Sequence, residues 1–218
     1  MHARLFQMSQ LSTVSTGELT LGTITKQIPR AKLPNGSGYF LYFKLNDHAD
    51  LVEEGARLIA LRIKNSGLRN PFFVTPEAST IALAHVLRTT YGINGLVIYK
   101  NKQINDIDPV CVQYDTVTAT DKKQLFLGLN KAAELEDKDI IILDSVCTSG
   151  GTVRGTYDLL IKAGIPASRI KEATMLFTEG VMRDSLTVAP NVQLKVHSFG
   201  HLPIIHDVNV SERQQGPK

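Results

Sequence analysis

Apolar and polar positions along this 218-residue chain fall into strand-like and helix-like segments that alternate over most of its length. Turn signals at Pro29, Pro34 and Asn35-Gly36 end a polar N-terminal stretch, and Tyr39 to Leu45 then reads as a strand. Val52, Ala56, Ile59 and Ile63 recur at helical spacing, which predicts an amphipathic helix from Asp50 to Ile63. Phe72 to Thr75 is a second strand, leading into a helix predicted from Glu77 to Tyr91. Leu96 to Tyr99, Ile140 to Leu143, Ala173 to Phe177 and Leu194 to Ser198 supply further strands. Ile140-Ile141-Ile142-Leu143 has no polar interruption, as a strand buried on both faces of a parallel sheet requires. The period changes after it. Val153, Tyr157, Leu160 and Ile161 lie at i, i+4, i+7 and i+8, so a helix is predicted from Thr152 to Ala163, with Gly164 as its stop and Pro166 beyond. Such alternation implies an α/β fold with a doubly wound, mostly parallel sheet. Its ligand crevice belongs at the carboxyl ends of the strands, where Thr75, Tyr99 and Asp144 stand.

Between the apolar run and the helix lies Thr148-Ser149-Gly150-Gly151-Thr152. A loop in that position offers unpaired backbone amides and the positive end of a helix dipole, which favour an anion. The paired glycines let backbone approach a ligand closely, and the hydroxyls of Thr148, Ser149 and Thr152 add donors. Asp144, one step past the apolar run, should emerge at the sheet's edge beside that anion. A carboxylate repels phosphate, so its partners would be sugar hydroxyls or magnesium, and a sugar phosphate is the ligand class implied. Helix capping and turn closure are the plainer use of the same residues, but a cap needs one such side chain and not this cluster. Gly150 and Gly155 have Walker A spacing, yet Thr156 and Tyr157 stand where Lys and Ser or Thr should follow. The dinucleotide fingerprint G-x-G-x-x-G is missing from this turn.

Length and a 43% apolar composition fit one α/β domain with a modest accessory region. A net charge of +3, with acids and bases interspersed, gives no stripe for nucleic acid. Cys111 and Cys147 are far apart, and no signal peptide or long apolar span is evident, so a reduced cytoplasmic setting and no membrane are expected. His197, His201 and His206 have no recognisable metal-ligand spacing. Phe177 suits a core, whereas Glu179 could face a ligand.

The stretch from Ile140 to Thr152 resembles the signature of the type I phosphoribosyltransferases: a hydrophobic strand, two acidic residues, three variable positions and Thr-Gly-Gly-Thr. Phe72-Phe73-Val74-Thr75-Pro76-Glu77-Ala78-Ser79 is similar to the Val-Thr-x-Glu-Ala-x-Gly segment of the adenine and xanthine branches, and Leu96 to Lys102 to the strand those branches end with basic residues. Phe177 to Gly180 and Gly200 to Pro203 resemble later strand ends less specifically, and the likeness spans roughly Gly22 to Ile205. It implies residues 1–210 as a single domain whose terminal segments form a small hood; the tail at 211–218 is expected to be disordered from its terminal position alone. Thr148, Ser149, Gly150, Gly151 and Thr152 would bind the 5-phosphate of phosphoribosyl pyrophosphate, and Asp144 its ribose hydroxyls, with Ser145 beside it. Glu77, Ala78 and Ser79 would meet the pyrophosphate through backbone groups, and Lys100 would neutralise that leaving group, so Asp144 and Lys100 carry the catalytic role. Mg2+ would arrive on the substrate and not in a protein metal site. Gln113 to Lys123 would be either a mobile cover or a plain surface hairpin.

Three positions depart from the family pattern. Ser145 replaces the usual second carboxylate, Ser149 the usual Thr, and Thr80 a frequent Gly. A serine hydroxyl can still bond ribose. Thr148 stands where some branches place a carboxylate general base, and its hydroxyl cannot do that work near neutral pH. The resemblance implies an enzyme, a glycosyltransferase of purine salvage and nucleotide metabolism, that moves phosphoribosyl from phosphoribosyl pyrophosphate to a nucleobase of the purine kind as a homodimer. The alternative, favoured by Ser145, is a non-catalytic protein of the same fold that senses phosphoribosyl pyrophosphate or a purine nucleotide. A phosphatase or kinase of another α/β family has no motif of its own here.

Overall fold

The computed structural model of the chain describes residues 15–32, 38–115 and 122–206. In order, its main elements are β1 (Thr16–Leu21), β2 (Ile24–Lys32), β3 (Gly38–Leu41), α1 (Ala49–Lys64), β4 (Pro71–Pro76), α2 (Ile81–Tyr91), β5 (Gly95–Ile98), β6 (Val110–Tyr114) and β7 (Lys123–Leu127). There follow α3 (Leu129–Ala132), β8 (Asp139–Cys147), α4 (Gly151–Lys162), β9 (Ile170–Glu179), β10 (Ser185–Ala189), β11 (Val192–Leu202) and β12 (Ile205–His206). The central sheet runs β10-β11-β9-β8-β4-β5. Every neighbour pair in it is parallel except β10 with β11, so it is the mostly parallel, doubly wound sheet that the alternating pattern implies.

β8 shows how the sequence builds two cores from one strand. Successive side chains on a strand face opposite ways. Ile140 and Ile142 therefore join Val74, Val153, Leu159 and Leu160 on the α4 side, while Ile141 and Leu143 join Phe73, Leu51, Ile59, Leu83 and Leu87 on the α1 and α2 side. All four residues of the run are without exposure, which is why no polar residue interrupts it.

The terminal segments form a second, antiparallel sheet in the order β1-β2-β3-β12. Buried Glu54 of α1 ties it to the rest: Oε1 accepts from the Thr23 amide at 3.2 Å, and Arg57 donates to both carboxylate oxygens at 2.7 and 2.8 Å. The Arg57 guanidinium holds the Glu54 carboxyl down at about 2. A separate hairpin pairs β6 with β7 and crosses to Tyr99 beyond β5 through Phe126.

Several sequence expectations need correction. Pro29 is not a turn but lies within β2, whereas Pro34 and Asn35-Gly36 are outside the described residues, as is the 211–218 tail. The helix expected from Glu77 starts at Ile81, because Glu77 to Thr80 form a turn. The strand from Tyr39 ends at Leu41. β8 extends past Leu143 to Cys147, so Asp144 sits inside a strand at 8% exposure and not beyond its end.

Replacing Ile142 with Ala should lower the unfolding free energy by roughly 2–5 kcal/mol in a urea titration. Ile161→Ala, on the solvent side of α4, should change it by less than about 0.5 kcal/mol.

Candidate functional site

The carboxyl ends of β4, β5, β8 and β9 converge on the loop that follows β8. Gly150 caps α4 in the left-handed region at φ 81°, a backbone state that side chains disfavour. The first-turn amides of α4 have no helical carbonyl to bond, and that of Gly151 donates to Ser149 Oγ at 3.4 Å. Arg154 braces the loop from behind, donating from Nη1 to the Ser149 carbonyl at 3.0 Å and from Nε to the Thr187 carbonyl at 2.9 Å. Above the loop, the Asp115 carbonyl closes so tightly on Gly151 that a Cβ there would collide with it. The preceding Tyr114 lies against Gly155, so the β6–β7 hairpin is seated over the N-terminal half of α4. Residues 116–121, the centre of the Gln113 to Lys123 segment, lie outside the described residues.

Asp144 is the most perturbed acid of the site. Burial pushes its carboxyl up to about 6, against the Ser145 amide that donates to Oδ1 at 2.8 Å and the positive charges of Lys100 and Lys123. Lys100 follows β5, and Lys123 opens β7 opposite Tyr114. Burial and the charge of Lys100 push the Lys123 ammonium down, while Asp144 acts against that shift. Lys123 was not among the site residues singled out in the sequence, because only the hairpin's pairing carries it to Asp144.

Hydrogen bonds join the remaining candidates across strand ends. Ser145 Oγ donates to Ser79 Oγ at 3.0 Å, linking β8 to the turn before α2. Within that turn Glu77 Oε1 accepts the Lys100 amide at 2.7 Å, and the Ala78 carbonyl accepts from Asn46 at 3.0 Å. Buried Thr75 Oγ1 lies 2.7 Å from both the Leu143 carbonyl and Thr80 Oγ1, and Thr80 in turn donates to the Pro76 carbonyl at 2.8 Å. The structure thus brings together Glu77, Ala78, Ser79, Lys100, Asp144, Ser145 and the Thr148 to Thr152 loop. Thr148 Oγ1 donates at 2.7 Å to Glu179 Oε2, at the end of β9.

No three His, Cys, Asp or Glu side chains cluster among the described residues. Asp144 nevertheless suits a hard cation that carries its other ligands with it. One carboxylate is what magnesium takes from a protein when phosphates supply the rest, and a neighbouring cation would offset the desolvation that raises this group. The histidines sit apart from such chemistry: His197 Nε2 is 2.6 Å from Arg62 Nη2 and 3.3 Å from Glu172 Oε2, and His201 Nδ1 is 3.2 Å from Thr178 Oγ1.

A carboxyl raised from 3.8 to about 6 binds its proton more tightly in the folded chain, so its ionisation opposes folding above pH 6. Asp144→Asn should therefore stabilise the ligand-free protein at pH 8 by on the order of 2 kcal/mol. That gain should shrink as pH falls through 6 towards 3.8, where the wild-type group takes up its proton. Thermal unfolding of both proteins across pH 4 to 8 checks this, and a difference independent of pH would contradict it.

Residues 43–188 match the sequence profile of the phosphoribosyl transferase domain. No curated protein matches the sequence. Among solved structures, adenine phosphoribosyltransferase from Thermoanaerobacter pseudethanolicus is similar at a TM-score of 0.59 and 14% identity, over 80% of this chain and 95% of that one. The Giardia lamblia enzyme complexed with 9-deazaadenine gives 0.58 and 10%, over 85% and 93%. The one from Leishmania donovani gives 0.56 and 10%, over 89% and 80%. At such identities these likenesses speak for the fold, while the profile match covers well over half of the sequence. The chain is thus a member of the phosphoribosyl transferase domain family, glycosyltransferases of the type I fold.

Proposed function

We propose that the protein transfers the phosphoribosyl group of phosphoribosyl pyrophosphate to a purine base, releasing pyrophosphate. The observation that carries this reading is the meeting, at the carboxyl ends of β4, β5 and β8, of a glycine-containing loop at the N-terminus of α4, a buried carboxylate and a lysine pair. The Ser145–Ser79 and Glu77–Lys100 hydrogen bonds hold these groups in one frame. In this arrangement the Thr148 to Thr152 amides and hydroxyls take the 5-phosphate, and Asp144 takes the ribose hydroxyls. Exposed Ala78 and Ser79 present backbone groups to the pyrophosphate, while the Glu77 carboxylate positions Lys100 by holding its amide. Lys100 and Lys123 answer the negative charge that grows on the departing oxygens, which in a water-poor site is worth far more than in solution. Magnesium would arrive with the substrate, with Asp144 as the carboxylate able to hold it, and would supply charge neutralisation to the leaving group. The hairpin over α4, seated on Gly151, excludes water from the ribose.

Residues 15–206 serve here as one unit, with the terminal sheet as its hood. The reading includes a homodimer working in purine salvage in the cytoplasm. Free Cys111 and Cys147 suit a reducing compartment, and no helix among the described residues is long and apolar enough to cross a membrane. A non-catalytic sensor of the same ligand is the rival. One observation favours it: Ser145 spends its hydroxyl on Ser79 and leaves no second negative charge beside the ribose.

Incubation with phosphoribosyl pyrophosphate, magnesium and adenine, hypoxanthine, guanine or xanthine should release pyrophosphate with at least one base. Tight calorimetric binding without release would favour the sensor. Lys100→Ala should reduce kcat on the order of 10²-fold. Asp144→Asn should weaken binding of the sugar pyrophosphate about tenfold or more, and unchanged affinity would remove Asp144 from the ribose site.

A further inference from the structure

We propose that Glu179 is the carboxylate that takes the proton from the incoming nucleobase, with Thr148 as its positioning residue; this rests on the transferase reading above. The sheet order fixes where each part of the substrate lies. Pyrophosphate belongs with Glu77 to Ser79 and Lys100, at the ends of β4 and β5, and the ribose with Asp144 and Ser145 on β8. Displacement at the anomeric carbon requires the nucleophile to approach opposite the leaving group, with reacting atoms aligned. The base must therefore enter from the other side of β8, where β9 and β11 end.

Glu179 is the last residue of β9, opposite Leu202 of β11, and the preceding Thr178 pairs with Cys147 of β8. It is a carboxylate at 9% exposure, and the Thr148 hydroxyl donates to its Oε2 at 2.7 Å. Among the described residues Oε1 has no hydrogen-bond partner, and it is not one of the sealed, unsatisfied atoms. One oxygen is thus fixed by the first residue of the phosphate loop, and the other is left as an acceptor on the nucleobase side. Thr148 itself cannot accept a proton near neutral pH. Its hydroxyl instead orients a group that can, as a third residue orients the base in other catalytic sets.

In the step, the ring nitrogen forms a bond to the anomeric carbon while the bond from that carbon to the pyrophosphate oxygen breaks. The bonding pair leaves with pyrophosphate, and the ring proton passes to Glu179 Oε1, then to water after product release. Charged or titratable residues near the end of β9 include Cys147 on β8, beside Thr178, His201 on β11, and Arg183 and Asp184 on the loop after β9, with Asp144, Arg154 and Arg183 within electrostatic reach of Cys147.

Glu179→Gln keeps the shape and can still accept the Thr148 hydroxyl. It should lower kcat roughly 10²-fold, leave the dissociation constant for phosphoribosyl pyrophosphate with magnesium within about twofold, and erase the acid limb of the kcat/KM pH profile. Glu179→Ala should regain turnover in added formate, a response that a merely structural side chain would not give. Wild-type kcat in Glu179→Gln with the acid limb intact, or no response of Glu179→Ala to formate, would overturn the assignment while the transferase reading stands. Absence of pyrophosphate release by the wild-type protein with every base would overturn both.

Discussion

A carboxylate confined within a buried strand sets the terms for the rest of this site. Asp144 has little access to bulk water, and its hydrogen-bond donor among the described residues is one backbone amide, so burial outweighs both lysines and keeps its proton affinity high. Burying a charge in this way destabilises a fold unless something compensates. Two lysines from separate elements, Lys100 after β5 and Lys123 on β7, compensate in part. A ligand bringing hydroxyl donors or a cation would complete the compensation. Poor solvation of this carboxylate and the affinity a ligand would gain by pairing it are then two views of the same electrostatic fact.

That constraint explains the hairpin as well. Lys123 comes near Asp144 because β7 pairs with β6, and β6 is held down by Tyr114 against Gly155 and by the Asp115 carbonyl against Gly151. Both contacts depend on glycine at positions where a methyl group would force the chains apart. Gly151 and Gly155 therefore let the covering strand approach α4. An element that reads as polar surface in the sequence is tied to the charge balance of the centre.

Legibility in the sequence follows the range of the interactions. The β8 run, its loop and α4 could be read directly, because continuous burial and the change of period are local signals. β1 is harder to read: Gly17, Leu19 and Leu21 alternate inward, but polar neighbours hide that alternation inside the polar N-terminal stretch. Pro29 misled in the opposite direction, as a proline can occupy a strand where the ladder does not need its missing amide. α2 starts at Ile81 and not Glu77 because Thr80 spends its hydroxyl on the Pro76 carbonyl and Glu77 reaches for Lys100, both of which hold a turn. Links such as Ser145 to Ser79 and Thr148 to Glu179 join residues far apart in the chain, so no local pattern could reveal them.

Those long-range links bear on the positions where this chain departs from its family's pattern. Thr80, in place of a small residue, is fully buried and meets Thr75, whose hydroxyl also reaches the β8 backbone. Ser145, in place of an acid, meets Ser79, and Thr148 meets Glu179. A buried polar group without a partner costs about 1–3 kcal/mol, so substitutions that merely accumulate in an idle site should leave several unsatisfied. Here Thr80 and Ser145 each have a hydroxyl partner, Ser149 Oγ accepts from the Gly151 amide at 3.4 Å, and the side-chain atoms left buried and unpaired among the described residues, Nε of Arg30 and of Arg183, belong to other positions. Each departure is satisfied where it stands. Such consistency is what a site under continuing functional constraint requires, whether its carboxylates serve to turn a substrate over or to hold it.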